Sequence, residues 1–215
     1  MPDWDVYLVT GESLSAGRST REIVDDAIAG GVGVVQLREK DRTVRERYEM
    51  GREIRERCRE AGVAFVVNDR VDLAGALDAD GVHLGDDDLP VSVARELLGA
   101  DAVVGRSVST VAAAEAAEAA GADYLGVGTV YRTGSKDDIP EDEHGVGPER
   151  VAEIADAVEL PLVGIGGITA ENAAAVTGAG ADGVGVITAI TQAEDPAAAA
   201  AALREAVERG KRDRS

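Results

Sequence analysis

The chain has 215 residues, 45% of them hydrophobic, enough to bury a full core at a length that fits one domain, 1–215, better than two. Its 41 acidic residues against 22 basic ones give a formal charge of -19, spread along the chain. That balance argues against a nucleic-acid partner, which calls for a basic patch, and suits a solvated acidic surface in high salt. The lone Cys58 excludes a disulfide framework or a cysteine metal cluster, and without a long apolar run or a basic leader the expected location is cytoplasmic, with no membrane partner.

Asp5–Thr10 (DVYLVT) reads as the first strand, and the Ser/Thr stretch before Arg21 caps a helix ending near Gly30. Val34–Glu39 is the next apolar run, after which Val44–Glu60 is a charged amphipathic helix closed by Gly62. The alternation continues through Ala64–Asn68, a short helix near Val71–Leu77, and Gly81–Leu84. Pro90 sits at the start of a helix running to Leu98, where a first-turn proline is tolerated. Ala102–Gly105, the alanine-rich helix Thr110–Ala120 and Tyr124–Val127 follow. Between Thr129 and Gly147 the rhythm breaks into a polar segment longer than a usual connection, either an active-site loop or an excursion without a role. A helix near Pro148–Val158, the strand Leu162–Ile165, a helix near Thr169–Thr177, the strand Asp182–Val186 and a helix around Pro196–Glu208 complete the chain. The short runs AGGVGV, GAD and GAGAD recur before strands as a structural echo.

Eight strand and helix units predict an α/β fold, a (β/α)8 TIM barrel whose core is filled mainly by Val, Ile, Leu and Ala. The rival is a doubly wound open sheet, but the GIGG run at Gly164–Gly167 lacks dinucleotide-fingerprint spacing and comes late in the chain.

In a barrel, function gathers at the carboxyl ends of the strands. Gln36, Arg38 and Lys40 alternate at the end of the second strand, facing the mouth if Gln36 points inward, and two cations with an amide suit an anionic substrate or a surface charge network. Asn68 and Asp69 end the third strand, and Asp86, Asp87 and Asp88 follow the fourth; carboxylates meeting at the mouth would favour Mg2+ completed by phosphate oxygens. His83, inside the fourth strand, reads as a satisfied interior histidine, and His144 as an exposed one. Gly166 and Gly167 end the seventh strand and Ile187 and Thr188 the eighth, the two loops that hold a phosphate in many barrels.

Taken in order, YLVT, QLREK, ND, GVHLGDDD, GRS, GVGTVYRTGSK, VGIGGIT and GVITAI resemble the thiamine-phosphate synthase family over nearly the whole chain. The resemblance implies a magnesium-dependent enzyme that couples a hydroxymethylpyrimidine diphosphate with a thiazole phosphate, releasing pyrophosphate through a dissociative step. It places Gln36, Arg38, Lys40 and Asn68 around the pyrimidine diphosphate, Ser107 against its diphosphate or ring, and Asp69 and Asp88 on the metal. Thr133, Gly134, Ser135 and Lys136 fall on the polar loop motif that contacts thiazole phosphate and pyrophosphate, with Arg38, Lys40 and Lys136 bearing on catalysis. Gly166, Gly167, Ile187 and Thr188 match the thiazole-phosphate cradle. Four departures stand out: Ser135 for a threonine, Arg132 and Thr129 for prolines, and Asp86 for a glutamine, the last read as surface acidity. A homodimer is the expected assembly. A thiazole tautomerase and a noncatalytic thiazole-phosphate-binding protein are the alternatives, neither of which needs the acid pair together with the cations.

Overall fold

Eight runs of four to six residues, rich in Val, Leu and Ile, pair in parallel and in sequence order until the last meets the first, closing the barrel. The computed structural model describes residues 2–134 and 145–214. Its strands are β1 (Val6–Val9), β2 (Val34–Leu37), β3 (Ala64–Asn68), β4 (Gly81–Leu84), β5 (Val103–Val108), β6 (Tyr124–Val127), β7 (Leu162–Ile165) and β8 (Gly183–Val186). Around them lie α1 (Thr20–Ala29), α2 (Val44–Ala61), α3 (Val71–Ala76), α4 (Val91–Leu98), α5 (Val111–Ala119), α6 (Gly147–Ala155), α7 (Ala173–Gly178), α8 (Thr188–Thr191) and α9 (Pro196–Arg214). The expected eightfold alternation holds. The strand predicted to end at Gly105 extends to Val108, the helix expected from Thr169 starts only at Ala173, and the last helix runs on past Glu208.

Strand periodicity sorts the side chains into two cores. Val6, Leu8, Val35, Leu37, Phe65, Val67, Val82, Leu84, Leu125 and Val127 face outward, under the helices. Tyr7, Val9, Val34, Val66, Tyr124 and Val163 face inward, and Trp4 closes the amino-terminal end with its ring 4.4 Å from that of Tyr124. Both strand faces are therefore apolar, as helix-covered parallel strands require.

Helix entries and exits are locally encoded. Ser19 and Thr43 each accept a hydrogen bond from the backbone of the third helical residue, while Glu22 and Glu46 reach back, forming complete capping boxes on α1 and α2. Gly62 ends α2 in the left-handed conformation that a side chain would strain.

Aspartates just before three strands, two of them in the recurrent GAD and GAGAD words, have a structural task at the amino-terminal rim. Asp80, just before β4, accepts the backbone N–H of Phe65 on β3 at 2.7 Å. Asp123, before β6, accepts that of Val104 at 2.7 Å, and Asp182, before β8, that of Leu162 at 2.9 Å. Each ties an even-numbered strand to its predecessor where the ladder would otherwise leave a donor unpaired. Arg95 adds a guanidinium that pairs with Asp123 and donates to the carbonyls of Ala102 and Gly121. Among the described residues, no helix is long and apolar enough to cross a membrane.

Candidate active site

At the carboxyl ends of the strands, two cavities of about 570 and about 510 Å3 open side by side. The smaller is lined by Arg38, Lys40, Asn68, Asp69, Asp88 and Ser107, and the larger by Thr133, Gly134, Gly166, Gly167, Ile187 and Thr188. Ile165, the last residue of β7, lines both. Apart from Gln36, the expected site residues among the described ones thus divide into two clusters that touch.

In the first cluster, β2 and β3 end next to each other, since Gln36 registers with Val66 and Leu37 with Val67. This brings the Lys40 ammonium to 3.5 Å from the Asp69 carboxylate. The Asp69 backbone has φ 63°, a turn held by its N–H donating to the carbonyl of His83 at 2.8 Å. Asp88 arrives from the loop after β4, where its carboxylate accepts the N–H of Gly85 at 2.6 Å. Burial, and then the charge of Asp88, hold the Asp69 carboxyl above its ordinary range, while Lys40 pulls the other way. Among the described residues, no group of three or more acids, histidines or cysteines gathers into a metal cage. Two carboxylates with an all-oxygen character suit a hard cation that draws the rest of its shell from water and a substrate phosphate.

Gln36 does point inward, as the alternation required, but it lies beneath the cavity, 4% exposed, with its amide donating to the Tyr7 hydroxyl at 2.7 Å. His83 has both ring nitrogens engaged, Nδ1 with Tyr124 and Nε2 with Ser107, each at 2.9 Å, in keeping with a satisfied interior histidine. Asp86 also lines this cavity at its rim, where it pairs with Arg106 and its side chain is 78% exposed, in keeping with surface acidity.

The second cluster is a backbone construction. Gly166 and Gly167 follow β7 at φ 101° and 62°, and a Cβ on either would collide with Thr129 or with Tyr131 and Arg132. Val130 and Tyr131 donate to the carbonyls of Ile165 and Gly166, zipping the β6 loop onto this turn. Asn172 braces the turn by donating to the Gly167 carbonyl at 3.0 Å and accepting the N–H of Thr169 at 2.9 Å. Facing it, the short α8 begins at Thr188 and is tied down by Thr191, whose hydroxyl donates to the Leu14 carbonyl. A half-buried glycine turn that lines a cavity opposite a short helix start is a place where an anion can approach backbone amides closely. Arg132 also lines this cavity. Ser135, Lys136 and His144 lie outside the described residues.

Sequence reasoning passed over the two buried tyrosines, Tyr7 and Tyr124. Their signal was available: each occupies an inward parity position on its strand, and Gly105, beside Tyr124, leaves the room its ring needs.

The fold and this mouth define a (β/α)8-barrel enzyme of the class that handles phosphorylated substrates. The model of the family described as thiamine monophosphate synthase matches residues 6–190. The chain is 72% identical to the thiamine-phosphate synthase of Haloarcula marismortui, over 98% of this chain and 100% of that one. It is 63% identical to that of Natronomonas pharaonis, over 96% of each. A solved thiamine phosphate pyrophosphorylase from Pyrococcus furiosus superposes with a TM-score of 0.88 at 39% identity, covering 97% of this chain and 98% of that one. The chain belongs to the thiamine monophosphate synthase family.

Proposed function

We propose that the two cavities hold the two partners of one joining reaction, a hydroxymethylpyrimidine diphosphate in the Asp69 and Asp88 cavity and a thiazole phosphate in the glycine cradle. The products are thiamine phosphate and pyrophosphate. The observation that carries this reading is Ile165, which lines both cavities, so that the reactive ends of two separately held anions can meet across one side chain. Family membership supports the same assignment.

The chemistry asks for positioning and charge more than for a protein nucleophile. The carbon–oxygen bond between the pyrimidine methylene and the diphosphate breaks, the thiazole nitrogen donates its electron pair to that carbon, and pyrophosphate leaves with the bonding pair. Arg38 and Lys40 stand where negative charge grows on the leaving group, and Lys136, on the loop after β6, would add a third cation. Asn68 and Ser107 offer hydrogen bonds to the same substrate, while Thr133, Gly134, Ser135, Gly166, Gly167, Ile187 and Thr188 hold the thiazole phosphate. Asp69 and Asp88 would hold Mg2+, a reading supported by the burial and the like charge of Asp88 that raise the Asp69 carboxyl, which a bound cation would offset. When bound, Mg2+ supplies positive charge against the diphosphate oxygens. A tautomerase has no use for this acid pair beside Arg38 and Lys40.

Separate binding titrations of the two substrates test the division. Lys40→Met is expected to weaken the pyrimidine diphosphate by about tenfold or more while leaving thiazole phosphate binding intact, and Gly167→Ala to do the reverse. Equal losses for both ligands in both variants would contradict two separate subsites.

A further inference from the structure

A chain of five polar side chains runs across the interior of the barrel, from β2 to β5, and joins two of the positions assigned above to the pyrimidine substrate. Gln36 Nε2 donates to the Tyr7 hydroxyl at 2.7 Å, and the Tyr7 and Tyr124 hydroxyls lie 2.8 Å apart. Tyr124 Oη lies 2.9 Å from His83 Nδ1, and His83 Nε2 lies 2.9 Å from Ser107 Oγ. Gln36, Tyr7 and Tyr124 are 4%, 2% and 0% exposed, so the first half of the chain is sealed from water. Glycines make the space: a Cβ at position 105 would stand 2.2 Å from the Tyr124 ring, and one at 126 would stand 2.9 Å from the His83 ring.

Such a chain has a direction. Burial raises both phenols above the ordinary tyrosine range, so each keeps its single hydrogen. The Tyr7 oxygen receives the Gln36 amide hydrogen, which leaves Tyr124 as the partner for its own. Tyr124 must then pass its hydrogen to His83 Nδ1. A neutral imidazole accepting at Nδ1 carries its hydrogen on Nε2 and donates it to Ser107 Oγ. With the Gln36 amide nitrogen donating to Tyr7, any other order leaves a buried hydroxyl hydrogen without an acceptor.

We propose that Tyr7 and Tyr124 are positioning residues that fix His83 as its Nε2–H tautomer, and thereby oblige Ser107 to present its hydroxyl hydrogen to the cavity as a donor. Ser107 and His83 both line the cavity, whereas neither tyrosine does. The consequence for the reaction is an oriented donor facing an anionic or ring-nitrogen acceptor, set by groups that never touch the substrate. This consequence rests on the assignment of that cavity to the pyrimidine diphosphate; the tautomer itself does not.

The test begins with nitrogen-15-labelled histidine in the substrate-free protein. The chain has two histidines, so a His144→Gln background leaves His83 as the single ring to read. Couplings from the ring carbon protons to the two nitrogens are expected to report hydrogen on Nε2. Tyr124→Phe, which removes only the hydroxyl, is expected to shift His83 toward the Nδ1–H form or to average the two. Tyr7→Phe, a milder break one link further away, is expected to do so partially, and Ser107→Ala to leave the tautomer unchanged because the direction is imposed from the tyrosine side. Binding of the pyrimidine diphosphate is then measured in four proteins. Ser107→Ala is expected to weaken it about tenfold in the otherwise intact chain and to add little once Tyr124→Phe is in place. Hydrogen on Nδ1 in the intact protein, a tautomer indifferent to Tyr124→Phe, or full additivity of the two substitutions would each overturn the proposal. If the intact protein does not bind the diphosphate at all, the substrate assignment fails while the nitrogen couplings still decide the tautomer.

Discussion

Asp69 is where the electrostatic demands of the mouth are sharpest. It adopts a left-handed backbone conformation, faces Asp88, and has Lys40 as its opposing charge. A carboxyl raised by burial and a like charge binds its proton more tightly folded than unfolded. Its contribution therefore favours folding below the ordinary carboxylate pKa and is lost as pH rises through the raised folded value. At neutral pH without a divalent cation, Asp69 thus works against stability. Asp69→Asn should raise the melting temperature of the chelated protein at pH 7, lose that advantage at pH 3 to 4, and remove most of the stabilisation that added Mg2+ gives the parent protein. Calorimetry with and without chelator reads all three, and an unchanged response to Mg2+ in the variant would remove Asp69 from the cation site.

At the scale of elements, the barrel divides into a mouth that does chemistry and a rim that holds strands together. Asp123 accepts from Val104 and from Arg95 at the amino-terminal rim, at the opposite strand ends from the cavities. Asp123→Ala should cost about 1 to 3 kcal/mol of stability, through an unpaired backbone donor and an orphaned guanidinium, and leave kcat within about twofold, because rim residues bear on stability and mouth residues on catalysis. Denaturant unfolding beside steady-state kinetics checks both halves. The strands were legible because period-two apolar runs between glycine-rich punctuation have few other readings: four of the eight match their expected bounds and the other four differ only at their ends. The mouth was legible because strand-end polar residues stand out against apolar runs. What the sequence hid was whatever depends on contacts between strands far apart in the chain. The inward parity of Tyr7 and Tyr124 was legible but their pairing was not, since only closure of the barrel brings hydroxyls 117 positions apart to 2.8 Å. The rim aspartates hid among many other acids for the same reason.

The whole molecule carries a formal charge of -19, and its acids crowd a surface of 9647 Å2. Raising the ionic strength from about 0.1 to about 1 M shortens the screening length from about 10 to about 3 Å, which should relieve this self-repulsion more than it weakens the exposed ion pairs. Cys58 is a built-in reporter: it is buried in α2, and burial pushes its thiol up to about 12, so alkylation at pH 8 must wait for the structure to open. Its alkylation rate should fall and the melting temperature rise as KCl is added; the opposite trend would mean that ion pairs outweigh the net charge. If this mouth joins two phosphorylated rings, purified protein supplied with both substrates and Mg2+, at low and high salt, will form thiamine phosphate and pyrophosphate in equal amounts, and chelation will abolish both. Folded protein that binds both substrates yet forms neither product at any salt concentration would contradict it.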